Sequence, residues 1–197
     1  MLKMKTYTLT FSERVENHVG MQQIGELATT GFTVGGLGEI SGKFNTTELM
    51  DLGGGAAVLV IRNGLDQIFD MKASDVFFEE HQFLKPWWDR KAFMRGKVVN
   101  KHARHNLCFA DIDQAPNYEL GHGTIIDFKR ISNTKMLRDY LHVFFGEKAR
   151  NLYAEANYYY DVSKCYIGFH GDTERRRVIG VRLGATLPLH YQWYQNS

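Results

Sequence analysis

The feature that most constrains this chain is a change of period near residue 150. Before it, NTKMLRDYLHVFFGEKA (133–149) puts Leu137, Tyr140, Leu141 and Phe144 at i, i+3, i+4 and i+7, one face of a helix. Asn133 is placed to cap that helix and Gly146 to stop it. After it come NLYAEANYYYD, KCYIGFHGD, RRVIGVRLG and TLPLHYQWYQ, which are short, aromatic or β-branched, and separated by turn residues. In the last of them Leu187, Leu189, Tyr191 and Trp193 alternate with polar partners. A helix followed by a run of antiparallel strands predicts an α+β chain with a sheet-sandwich or jelly-roll core.

The upstream half is less regular. TYTLTF (6–11) alternates like a strand, and AAVLVIRNGL (56–65) reads as a buried strand ending in an Asn63-Gly64 turn. TTGFTVGGLGEISGKF (29–44) carries too many glycines for a helix interior. Its glycines are read as turns, because neither a Gly-Lys-Ser/Thr nor a strand-to-helix G-x-G-x-x-G accompanies them. Residues 72–95 start as a helix capped by Ser74 or Asp75 and end or kink at Pro86. The net charge of +2 neither demands nor excludes nucleic acid, so a basic patch has to be argued locally. No apolar run approaches a membrane span, and Cys108 and Cys165 are the only cysteines. The expected setting is therefore intracellular and reducing, cytoplasmic or nuclear, with no membrane partner.

The sharpest chemistry is His170-Gly171-Asp172. On a strand ending in a glycine kink, residues i and i+2 project to one face, where an imidazole and a carboxylate can bind one divalent metal. With a second histidine they complete the facial triad that leaves Fe(II) three open positions. The bland alternative is a surface turn with a charge-paired histidine.

The surrounding order of residues resembles the AlkB family of Fe(II)/2-oxoglutarate dioxygenases. Asn157 and Tyr159 stand where that family has an Asn-x-Tyr pair. His170, Asp172 and Glu174 follow as His-x-Asp-x-Glu, and Leu183-Gly184-Ala185-Thr186 as the end of the next strand. The interval from Asn157 to His170 is longer than usual. Upstream, HARHNLCFAD (102–111) is similar to a segment that helps form the family's nucleotide-recognition lid, with Ala103 in place of a proline. The similarity covers roughly 97–190. It implies a core at 96–197 built as a double-stranded β-helix with flanking helices, preceded by an extension over 1–95 that packs on it.

The resemblance also implies roles. His170 and Asp172 would be catalytic and bind Fe(II), Asn157 and Tyr159 would hold 2-oxoglutarate, and Glu174 would line the substrate pocket or orient the metal shell. Arg104, Phe109 and the triplet Arg175-Arg176-Arg177 would contact a nucleic-acid substrate, DNA or RNA, through phosphates or by stacking on a base; Tyr166 is a second stacking candidate, and the plain alternative for the triplet is a solvated turn. Lys97 and Lys101 join Arg104 in a second basic cluster. The family's distal histidine and its 2-oxoglutarate arginine have no clear counterpart; His190 is the one candidate for the third ligand. Hence the last core strands are expected to be missing, with the open sheet edge covered by a partner chain, a second copy of this chain or another closure of the fold. The implied activity is oxidation of a nucleobase, by demethylation or hydroxylation. The rival readings are a non-catalytic β-sandwich that binds nucleic acid or carbohydrate, a relative without a complete iron site, and a small-molecule or protein hydroxylase.

Overall fold

The computed structural model describes residues 4–18, 20–69 and 72–192. In chain order the strands and α-helices are β1 (Thr6–Ser12), β2 (Arg14–Glu16), β3 (Gln23–Gly25), α1 (Val34–Ser41), β4 (Thr47–Gly53), β5 (Ala56–Ile61), α2 (Gly64–Phe69), α3 (Ala73–Phe83), β6 (Lys91–Met94), β7 (Lys97–Asn100), β8 (His105–Ala110), β9 (Ile125–Asp127), α4 (Ser132–Phe145), β10 (Tyr153–Tyr159) and β11 (Ile179–Gly184). The chain is mixed α+β, as its periodicity predicts.

A five-stranded sheet in the order β11-β1-β10-β8-β9 organises the fold. Its pairs are antiparallel except β8 with β9. Three hairpins, β2-β3, β4-β5 and β6-β7, surround it. The register explains the packing. Leu183, Tyr7, Tyr158 and His105 form one cross-strand row, and Ile179, Phe11, Ala154 and Phe109 form another. These rows share a face with Leu9, Ala156 and Leu107. That face is apolar and packs on Phe77 of α3 and on Leu137 and Leu141 of α4. The period of two then puts Thr8, Thr10, Asn106, Cys108, Glu155, Asn157, Tyr159 and Arg182 on the opposite, polar face.

Several expectations need correction. Strand β1 lies between β10 and β11, so the boundary expected near residue 95 cuts through one sheet instead of separating an extension from a core. The glycine-rich 29–44 stretch does contain a helix, α1. Thr33 caps it by accepting a hydrogen bond from the Gly36 backbone N–H at 3.1 Å, and its one buried residue, Ile40, anchors it. KCYIGFHGD forms no strand and runs as coil from the end of β10 to β11. Residues 187–192 of TLPLHYQWYQ are also coil, and Trp193 lies outside the described residues. Asn63 and Gly64 open α2; the hairpin turn is made by the glycines after β4.

The helix 133–149 is present as Ser132–Phe145, and Gly146 ends it at φ 78. Its cap is supplied from another element. Both Glu80 oxygens, on α3, accept from the Asn133 and Thr134 backbone N–H groups at 2.8 and 2.9 Å. Tyr140 of the predicted apolar face is half exposed. Among the described residues no helix is long and apolar enough to cross a membrane.

Candidate functional site

The chemistry gathers on the polar face of the sheet and on the coil joining β10 to β11. Strand β10 alternates small or aromatic residues on the apolar face with Glu155, Asn157 and Tyr159 on the other. Asn157 is buried, and its Oδ1 accepts from Arg104 Nε at 2.7 Å and from Asn106 Nδ2 at 2.6 Å. Asn106 Oδ1 in turn accepts from Lys101 Nζ at 2.9 Å. Tyr159 is buried beside this network, and its hydroxyl is pushed above the usual tyrosine range by burial against the opposing pull of Arg104 and Arg182. Asn157, Tyr159 and Arg104, named separately from the sequence, thus share one neighbourhood.

The coil is held at both ends. At its start the Tyr160 hydroxyl donates to His102 O at 2.6 Å and the Tyr166 N–H to Ala103 O at 3.2 Å. At its end Glu13 accepts the Arg176 and Arg177 N–H groups at 2.7 and 3.0 Å. Burial pushes the Glu13 carboxyl up, but the backbone donors around it win and hold it below the ordinary glutamate range. Between these anchors His170 Nε2 stands 3.3 Å from Asp172 Oδ1, and His170 Nδ1 lies 2.8 Å from Gly168 O. The His-x-Asp pair is therefore preformed on an exposed coil, although not on the strand expected for it.

Arg175 ties this coil to the sheet. Its guanidinium is buried and bridges three carboxylates: Glu155 at 3.1 Å, Glu174 through Nε at 2.8 Å, and Asp172 at 3.8 Å. Burial disfavours its charge, and Glu155, Asp172 and Glu174 more than restore it, so it stays protonated. Glu155 is itself held above the ordinary glutamate range by burial, with Arg175 opposing. This geometry corrects two assignments. Arg175 is committed inside the protein and cannot serve as a phosphate contact, and Glu174 is spent on it instead of lining a substrate pocket.

Phe109 is a further correction. It is 0% exposed on the apolar face, edge-on to His81, and cannot stack on a base; Tyr166, at 66%, presents its ring to solvent. Asp111, in the same upstream segment, forms a bidentate pair with Arg138 at 2.7 and 2.8 Å. His190 is exposed in the coil after β11, and among the described residues no three His, Cys, Asp or Glu side chains converge as a metal site. The expected third ligand is thus not brought to His170 and Asp172.

Sequence reading missed Glu155, Asn106 and Glu13. Glu155 and Asn106 had a usable signal, since each is a polar residue inside an otherwise apolar strand, YAEANYY and HNLCFA. Glu13 had none, because its partners are backbone groups far away in sequence. Two clefts of about 340 and 400 Å³ share Trp87, Ile126 and Arg130 in their walls and include none of these residues.

Over 208 aligned residues the chain is 45% identical to an uncharacterized protein of Acanthamoeba polyphaga mimivirus, covering 98% of this chain and 79% of that protein. The chain belongs to that protein's family. No family model and no solved structure matches it.

Proposed function

We propose that this chain is an Fe(II)/2-oxoglutarate dioxygenase of AlkB type that oxidises a nucleobase in nucleic acid, with a jelly-roll core built on the five-stranded sheet. The observation that carries the reading is the His170–Asp172 pair. With Nδ1 donating to Gly168 O, the imidazole turns its Nε2 lone pair toward a carboxylate oxygen 3.3 Å away. Two lone pairs facing at that distance repel unless a proton or a cation lies between them. A backbone carbonyl fixing one ring nitrogen is also how protein ligands orient a histidine toward a metal. The pair thus fits two positions of a facial triad.

Each residue then has a task. Arg175 holds Asp172 in place from the sheet side, and Glu13 fixes the end of the coil. Asn157 and Tyr159 line the polar face where 2-oxoglutarate would lie. When bound, iron and 2-oxoglutarate would supply the oxidising power; the protein would supply ligation and orientation. Support for a nucleic-acid substrate comes from the β6–β7 hairpin. Arg90, Lys91, Arg95 and Lys97 are exposed there, and no acid occurs between Arg90 and Ala110. Such a surface favours a phosphate backbone. The same hairpin also favours a second reading, a non-catalytic nucleic-acid-binding module.

The test is Mn(II) binding followed by electron paramagnetic resonance, together with succinate release from 2-oxoglutarate in the presence of Fe(II) and an N-methylated oligonucleotide. Wild type binds Mn(II) saturably and releases succinate, and H170A and D172A lose both. Mn(II) affinity equal in wild type and D172A sinks the reading. Oligonucleotide binding without succinate release favours the binding module.

A further inference from the structure

A group of cations sits over the polar face without matching anions. Lys101 and Arg104, in and beside the link between β7 and β8, reach Asn106 and Asn157, and those two amides are bonded to each other. Only Nε of Arg104 is used in this network, which leaves its terminal nitrogens directed elsewhere. His18, just beyond β2, adds a neutral imidazole beside the two cations; its Nδ1 is buried with no hydrogen-bond partner among the described residues. Among the described residues no carboxylate lies within ion-pair distance of Lys101, Arg104 or His18. The nearby acids are engaged: Asp89 accepts from Tyr118 and Thr124, and Glu155 from Arg175.

We propose that Lys101, Arg104 and His18 form a binding site for a small dianion, a dicarboxylate or a phosphate, seated on the Asn106–Asn157 floor. An arginine with its terminal nitrogens free grips a carboxylate or phosphate in two-point fashion, and a lysine adds a point charge beside it. The position favours a small ion over a nucleic-acid backbone. Lys101 and Arg104 are half-buried against the sheet, whereas the exposed cations suited to a phosphodiester chain are on the hairpin.

The electrostatics agree. Burial, and then the charge of Arg104, pushes Lys101 down to about 8, against the pull of Asp89, Cys108 and Glu155. Burial, with Lys101 and Arg104, pushes His18 down to about 4. His105, at the start of β8, is also held at about 4 by burial, Arg90 and Lys101. Burial is the largest cause of each shift, and the neighbouring cations add to it. A bound dianion reverses them, so binding is accompanied by proton uptake. Affinity is then greatest below about 8 and falls as Lys101 loses its proton above it.

The experiment titrates inorganic phosphate, succinate and 2-oxoglutarate into the full chain by calorimetry, with EDTA present so that no metal contributes. Wild type binds saturably. K101M and R104Q bind at least about tenfold more weakly, while K129M, at an exposed lysine paired with Asp127, binds as wild type does. In wild type the affinity drops roughly tenfold between pH 7.5 and 9.5, the consequence of one linked proton. K101R binds at pH 7.5 and loses that dependence, which keeps the proposal testable if K101M does not fold. No saturable binding in wild type, or unchanged binding in both K101M and R104Q, overturns it. Single-stranded oligonucleotide binding that falls in K101M while the small anions fail to bind also overturns it, and gives the cluster to the nucleic-acid backbone. Only the choice of 2-oxoglutarate as a probe rests on the dioxygenase reading. Failure of that reading alone shows as Mn(II) binding indifferent to H170A with the phosphate arm intact.

Discussion

Replacing Arg175 with methionine isolates the interaction that joins the coil to the sheet. The guanidinium is 6% exposed and Glu155 is 11% exposed at the side chain, so the substitution strands a carboxylate in the protein interior. Removing one partner of a buried pair costs about 3–5 kcal/mol at neutral pH. The pH dependence follows from Glu155. Its pKa is already raised in the folded state by burial, and Arg175 is the largest influence opposing the rise. Without Arg175 the folded pKa climbs further above the unfolded value. Folding then favours the protonated form. That preference is fully expressed below the unfolded pKa of Glu155 and is lost as pH rises through the folded one. The penalty of R175M, measured against wild type, is therefore largest at pH 7 and shrinks on acidification, by up to about 1.4 kcal/mol per pH unit where only the folded state holds the proton. Urea unfolding of wild type, R175M, E155Q and the double variant, from pH 5 to 8, measures this. The double variant removes the most deeply buried of the stranded carboxylates, so it recovers a substantial part of the loss. A cost of R175M below about 1 kcal/mol, or strictly additive losses in the double variant, refutes the argument.

Two further outcomes follow from the fold. E80A removes the carboxylate that caps α4 from α3, and it lowers stability by about 1–2 kcal/mol, read as a drop in the urea midpoint. G184A is costlier than an ordinary strand substitution, about 1–3 kcal/mol by thermal unfolding. Gly184 has φ +91, and a Cβ there would stand 2.5 Å from both Lys5 O and the Phe78 ring.

How far the fold could be read from sequence depended on where each element finds its partners. Strands β1 and β10 announce themselves by alternation, and α4 by its apolar face; each carries its signal within its own residues. The central placement of β1 was not readable in the same way, because pairing Thr8 with Asn157 and with Arg182 joins segments far apart in the chain. The glycines of α1 disfavour a helix by propensity, and the Thr33 cap and the Ile40 anchor override them locally. The coil at 160–178 misled for a related reason. Its aromatic residues look like a strand, yet Tyr160 and Tyr166 spend their polar groups on His102 and Ala103, not on a neighbouring strand.

The candidate site divides along the same line. His170 and Asp172 were legible because the chemistry lies in two residue types two positions apart, and their 3.3 Å approach needs only a local turn. Arg175 was misjudged because an arginine triplet looks solvated until Glu155, from the middle of β10, is seen beneath it. That displacement changes what the segment Arg175-Arg176-Arg177 does. Arg175 binds the sheet, and the backbone N–H groups of Arg176 and Arg177 bind Glu13. The Arg177 side chain reaches Thr30 O at 3.2 Å and Lys148 O at 3.1 Å. The triplet therefore works as the clamp that sets where His170 and Asp172 stand. Cations available to a ligand have to be sought where no carboxylate answers them, at Lys101 and Arg104.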